Sequence, residues 1–165
     1  MRLPSFIRSA AVTAVLALAV PATAQELFTF NDIPWGIDPR ATTEALAPLG
    51  FVLNAEFTPD EGEVMYEGED DAILLASFAG DALVAIRVSF AGTREQVDQT
   101  FEQSVREGTE NLGDPEFPEE GVATWRRGET SFSVMIGESE HGLTFFTVQY
   151  GGPGSRKRSR GGSSA

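Results

Sequence analysis

The chain contains no cysteine, and that absence removes more chemistry than any other feature of the sequence. Disulfides, thiolate metal sites, a cysteine nucleophile and the acylated cysteine of a bacterial lipoprotein are all excluded. There is a single histidine, His141, so a transition-metal site would have to use carboxylates alone. Cations are scarce as well. Of the 12 Lys and Arg, two lie at Arg2 and Arg8 and four at Arg156, Lys157, Arg158 and Arg160. The body between them holds six basic residues against 25 acidic ones, a balance of −19. Such a field repels phosphate backbones and anionic lipid, which argues against nucleic acid as a partner. It attracts cations or the basic face of another protein, and it also serves solubility in a salty habitat.

Long apolar runs are missing too, apart from Ala10–Val20, about half of the ~20 residues a membrane-spanning helix needs. Arg2 and Arg8 precede that run and Ala22-Thr23-Ala24 follows it, the pattern of a cleaved signal peptide over residues 1–24. The expectation is an exported protein, periplasmic or secreted, with no membrane insertion after cleavage. Residues 25–150 are then enough for one domain with its own core. Residues 151–165, GGPGSRKRSRGGSSA, offer nothing apolar to anchor them and read as a disordered basic Gly/Ser/Arg tail.

Within the domain, Ile73 to Phe90 reads as two apolar strands folded about Gly80-Asp81, a Gly-first dipeptide suited to a two-residue hairpin turn. Centring the register there sets Ile73 opposite Val88, Leu75 opposite Ile86 and Ser77 opposite Val84. One face then carries Ile73, Leu75, Val84, Ile86, Val88 and Phe90 and could seat a helix. The other carries Leu74, Ala76, Phe78, Leu83, Ala85 and Arg87, too apolar for open water. Either further strands cover that face or it meets a partner, which makes Leu74, Phe78, Leu83 and Arg87 candidate partner-binding residues.

Leu27–Phe30 could be a short strand. Asp38-Pro39 opens a helix that should fail near Pro48-Leu49-Gly50, with Trp35 plugging its entrance. Strands are expected over Phe51–Phe57 and Glu63–Glu67, separated by a Pro/Gly turn. Thr93 and Gln96 form a capping box at the start of a second helix. Its stripe of Val97, Phe101, Val105 and Leu112 should lie across Val84, Ile86 and Val88, and Gly113 before Asp114-Pro115 ends it. Gly108 in that stripe weakens the last turn by about 1 kcal/mol relative to Ala. A Pro-containing acidic loop at Glu116–Gly121 leads to three strands, Val122–Arg127, Thr130–Ile136 and Leu143–Tyr150. The expectation is an α+β fold: about seven antiparallel strands in two meanders, with two helices on one face. Both helices finish in Leu-Gly, so a tandem helix-then-meander repeat is one reading of this order.

Gly92-Thr93, Val97, Leu112-Gly113-Asp114-Pro115 and Trp125 resemble the pattern of the small outer-membrane assembly lipoproteins of the BamE type. A tandem of such units would look like the fold of the β-lactamase inhibitor protein. The resemblance covers residues 92–150. It implies a domain that binds other proteins and does no chemistry. The lipobox cysteine is missing, so a membrane-tethered role does not carry over.

A search for chemistry returns little. Gly137-Glu138-Ser139-Glu140-His141 nearly spells a nucleophile elbow, but His stands where the turn needs Gly. Glu67, Glu69, Asp70 and Asp71 crowd one turn and could supply oxygen ligands to Ca²⁺, although the spacing is not that of an EF-hand. No carboxylate pair is marked out for acid–base work. The leading expectation is a non-enzymatic binding or protein-interaction domain without a cofactor, its partner another envelope protein with a basic face. The alternatives are a cation-binding protein using the acidic turn and a small carboxylate-based hydrolase.

Overall fold

Alternating strands punctuated by Gly turns, and helices opened by Asp-Pro and by a capping box, produce an α+β fold with one antiparallel sheet. The computed structural model describes residues 27–56, 61–139 and 141–155. The segment read as a signal peptide, part of the turn before Glu63 and the basic cluster from Arg156 onward lie outside them. Helix α1 (Pro39–Leu46) follows the N-cap Asp38, whose carboxylate accepts from the Ala41 amide, and a 3₁₀ turn over Ala47–Leu49 stops at Gly50 in the left-handed region. Strands β1 (Val52–Leu53), β2 (Glu63–Glu67), β3 (Ile73–Ala79) and β4 (Ala82–Gly92) come next. Helix α2 (Arg94–Leu112) has both halves of the Thr93/Gln96 capping box. It is followed by β5 (Phe117–Glu119), β6 (Val122–Arg127), β7 (Thr130–Glu138) and β8 (Thr144–Gly151).

The helix-then-four-strands order thus occurs twice. The eight strands run β1-β2-β3-β4-β8-β7-β6-β5, so the two meanders meet where β4 pairs with β8 in a single sheet. The eighth strand is β5, in the stretch expected to be a loop. Pro118 is tolerated there because β5 is an edge strand, where one side of the ladder needs no donor. Two expected strands fall short. Leu27–Phe30 forms no ladder; the Phe28 amide instead donates to Thr130 Oγ1 (2.9 Å). The strand expected over Phe51–Phe57 shrinks to two residues among those described, and both Val52 and Leu53 are exposed.

Both helices cover the same face of the sheet. Helix α1 rests on β1 and β4; α2 crosses β7 and β8 and touches β4 less, not the Val84-centred position expected from its stripe. Leu46 of α1 packs down onto Tyr66, Leu74, Phe78, Ile86, Phe132 and Val148 of the sheet in one core, all of them buried. Trp125 packs against Phe132, and its Nε1 donates to the Gly113 carbonyl (2.8 Å), tying β6 to the end of α2. Trp35 does similar work at the other end: half-buried over Gly152, it donates to the Phe28 carbonyl (2.8 Å).

The hairpin turns where expected, with Gly80 at φ 63° and Ala79 opposite Ala82. Two residues later the register slips. Phe78 faces Leu83, but Ser77 faces Ala85, Ala76 faces Ile86 and Leu74 faces Val88, leaving Val84 as a bulge. The Val84 carbonyl accepts from the Gly152 amide (2.7 Å), and Leu83 exchanges backbone hydrogen bonds with Gly36 and Ile37. These are segments from the two ends of the described chain, docked on the β4 edge beyond β8. Because side chains alternate with a period of two, one extra residue exchanges the faces. Leu74, Ala76 and Phe78 therefore join Ile86 and Val88 in the core, whereas Ile73, Leu75 and Ser77 face away from the helices.

Candidate binding surface

The slip corrects the candidate partner-binding residues. Leu74, Phe78 and Leu83 lie at 0, 2 and 1 % exposure under the helices and cannot form a docking face. Arg87 is separated from them on the opposite face, half-buried and paired across the strand with Leu75. The coverage foreseen from the second meander comes instead from the helices and the N-terminal segment, because the two meanders lie side by side in one sheet.

The acidic turn keeps its residues close without gathering them. Glu67 ends β2 and accepts from the Asn54 side-chain amide. Glu69–Asp71 form a 3₁₀ turn closed by the Gly68 amide on the Ala72 carbonyl (2.8 Å), with Asp70 and Asp71 both at positive φ. Asp tolerates that conformation better than most side chains. Among the described residues, no group of three or more Asp, Glu or His is arranged to hold a metal ion.

Ser139 is occupied as a turn-former: its Oγ accepts from the Leu143 amide (3.1 Å), and its carbonyl accepts from Gly142 (2.9 Å). His141 is exposed in that β7–β8 loop. A cleft of about 230 Å³ at the end of α2 brings Asp114, Glu116, Arg126 and Arg127 together. Its two carboxylates are exposed, and Glu116 is bridged by Arg126 (3.4 Å). Arg127 stacks over Phe28, 5.1 Å from the ring centre. The cleft thus holds one exposed ion pair and an Arg127 stacked on a ring, with no enclosed acid–base pair among the described residues. The resolved pKa displacements belong to core tyrosines. Burial pushes Tyr150 up to about 12, and burial also raises Tyr66, against the opposing pull of its hydrogen bond with the Thr43 hydroxyl (2.9 Å).

The second face of the sheet carries no helix. Its centre is small and hydroxylated: Ser89 bonds Thr147 and Thr124 bonds Ser133, each at 2.9 Å. Phe145 lies across Gly137 on the neighbouring strand, an aromatic covering a glycine that has no side chain to pack. Toward the β1 edge the character changes. Val52, Glu67 and Ile73 sit side by side on three adjacent strands, with Val52 69 % and Ile73 43 % exposed. Leu53, paired with the core residue Tyr66, is exposed at the same edge but on the helix side, and Glu67, Glu69, Asp70 and Asp71 rim the corner. Sequence reasoning missed this corner because it placed Ile73 under a helix. The signal that could have found it was Ser77, Ser89, Ser131, Ser133 and Thr147, which share the face of Ile73 and mark it as the wetter one.

Compared with known proteins, the chain matches no family model, no curated protein and no solved structure.

Proposed function

We propose that the chain is an exported, non-enzymatic protein-binding domain that engages the basic face of another envelope protein through the β1–β2–β3 corner of its sheet. The observation that carries this reading is the coincidence at that corner of exposed Val52 and Ile73 with Glu67, Glu69, Asp70 and Asp71. Apolar side chains supply binding energy when a partner removes them from water, on the order of 1 kcal/mol or more each. The acidic rim steers a basic partner and selects against acidic ones. β1 is also an edge strand of the sheet, and an extended segment can add a strand to such an edge. Export is supported by the pattern of residues 1–24, and the BamE-type resemblance of residues 92–150 points to the same class of role.

The test pairs Val52→Ser with Ile73→Ser in the mature chain. Both positions are exposed, so the melting temperature should hold while capture of the partner from a cell-envelope extract is lost. Capture by the unaltered chain should weaken at high salt, where charges are screened. Undiminished capture by a folded double variant would reject this corner as the interface.

A further inference from the structure

The described chain ends over the face of the sheet that carries no helix. On β8, Thr147, Gln149 and Gly151 point to that face, opposite to Val148 and Tyr150 in the core. A Cβ placed on Gly151 would lie 2.5 Å from Ser131 Oγ and 3.0 Å from Ser155 Oγ, so Ser155 sits on the open face beside Ser131. The next residues are Arg156, Lys157, Arg158, Ser159 and Arg160. Four cations therefore leave the domain at this point, against a body balance of −19.

The surroundings of that exit are uneven. Gly151 is flanked by Ala85 on β4, then Ser77 on β3, then Glu63 on β2, in one row across the strands. The same end of the sheet carries Asp81 in the β3–β4 turn and Glu61 just before β2, both exposed. In the other direction β6 ends in Arg126 and Arg127, and Arg87 stands one row further from the exit. Charge thus favours the path toward β2. Three strand spacings of about 4.8 Å separate β8 from β2, roughly 14 Å. Five residues of extended chain can span about 17 Å, enough to cover that distance from Ser155.

We propose that the C-terminal segment from Arg156 docks on this chain's own sheet, crossing the helix-free face from Ser155 toward Asp81, Glu61 and Glu63. The occupant is intramolecular, and the contact is electrostatic. A basic partner at the neighbouring Glu67 corner would compete with it, but the docking is a property of the chain alone and stands apart from the proposed partner.

The cysteine-free sequence permits a clean test. A nitroxide is attached to Ser163→Cys in the isotope-labelled mature chain, and amide signals are compared between the oxidised and reduced label. At about 0.01 M ionic strength, where the screening length is about 30 Å, the Glu63, Ser77 and Ala85 signals should lose intensity. They should recover at about 1 M, where it is about 3 Å, and in a variant carrying Arg156→Glu, Lys157→Glu, Arg158→Glu and Arg160→Glu. The tail substitutions leave the domain itself unaltered. Unchanged signals at low salt would overturn the proposal, as would intensity loss that persists after charge reversal. Equal loss when the nitroxide is on a separate, unlabelled copy would also overturn it, by assigning the segment to a neighbouring molecule.

Discussion

Gly108→Ala separates local propensity from packing. Judged on the helix alone, replacing an interior glycine stabilises α2 by about 1 kcal/mol. In the folded protein, the new Cβ would lie 2.6 Å from each of two Trp125 ring atoms. Ordinary carbon–carbon contact is about 3.5–4.0 Å, so ring or helix must retreat by roughly 1 Å. Retreat is resisted on both sides. The ring is 3 % exposed, packed on Phe132, and hydrogen-bonded to Gly113 at the end of the same helix. Overpacking of this kind costs about 1–3 kcal/mol, which cancels or exceeds the propensity gain, and the net expectation is a loss of up to about 2 kcal/mol. Urea unfolding followed by circular dichroism measures it. The control is Trp125→Leu, which is destabilising by itself but vacates the space; in that background Gly108→Ala should stabilise. Such a reversal of sign is a coupling a double-mutant cycle reads directly. If Gly108→Ala stabilises the unaltered protein by the full propensity increment, the claim that Trp125 dictates this glycine is wrong.

Leu74→Ala should cost about 2–5 kcal/mol and Ile73→Ser less than about 1, since the bulge places the first in the core and the second outside; chemical unfolding of both checks the register. Thr93→Ala should cost about 1 kcal/mol by removing one half of the capping box, read as a lower urea midpoint at unchanged slope. Tyr150 has its folded pKa raised to about 12 from 10.0, so its proton is held more tightly when folded. Its contribution is intact below pH 10 and is lost as pH climbs from about 10 to 12, by about 2–3 kcal/mol. Tyr150→Phe should flatten that alkaline loss in a stability–pH profile, and an unchanged profile would remove Tyr150 from it. Calcium should raise the melting temperature no more than sodium chloride of equal ionic strength, because no three carboxylates among the described residues are grouped to hold an ion.

The amino-acid sequence by itself determined the elements whose signals are local. Asp38-Pro39, the Thr93/Gln96 box, Gly50, Gly113 and the Gly80-Asp81 turn each act within one turn of backbone, so both helices and the central hairpin stand where those residues put them. Only the tertiary structure decided which face of β3 is buried. The bulge at Val84 is held by Gly152, with Gly36 and Ile37 on the adjoining Leu83, all brought there from distant parts of the chain. A strand alternates its side chains with a period of two, so one residue inserted by those remote contacts exchanged core for surface and moved the candidate interface from Leu74 and Phe78 to Val52 and Ile73. Gly108 follows the same logic: it is a weakness in the helix considered alone and a fit for the Trp125 ring once β6 lies beneath it.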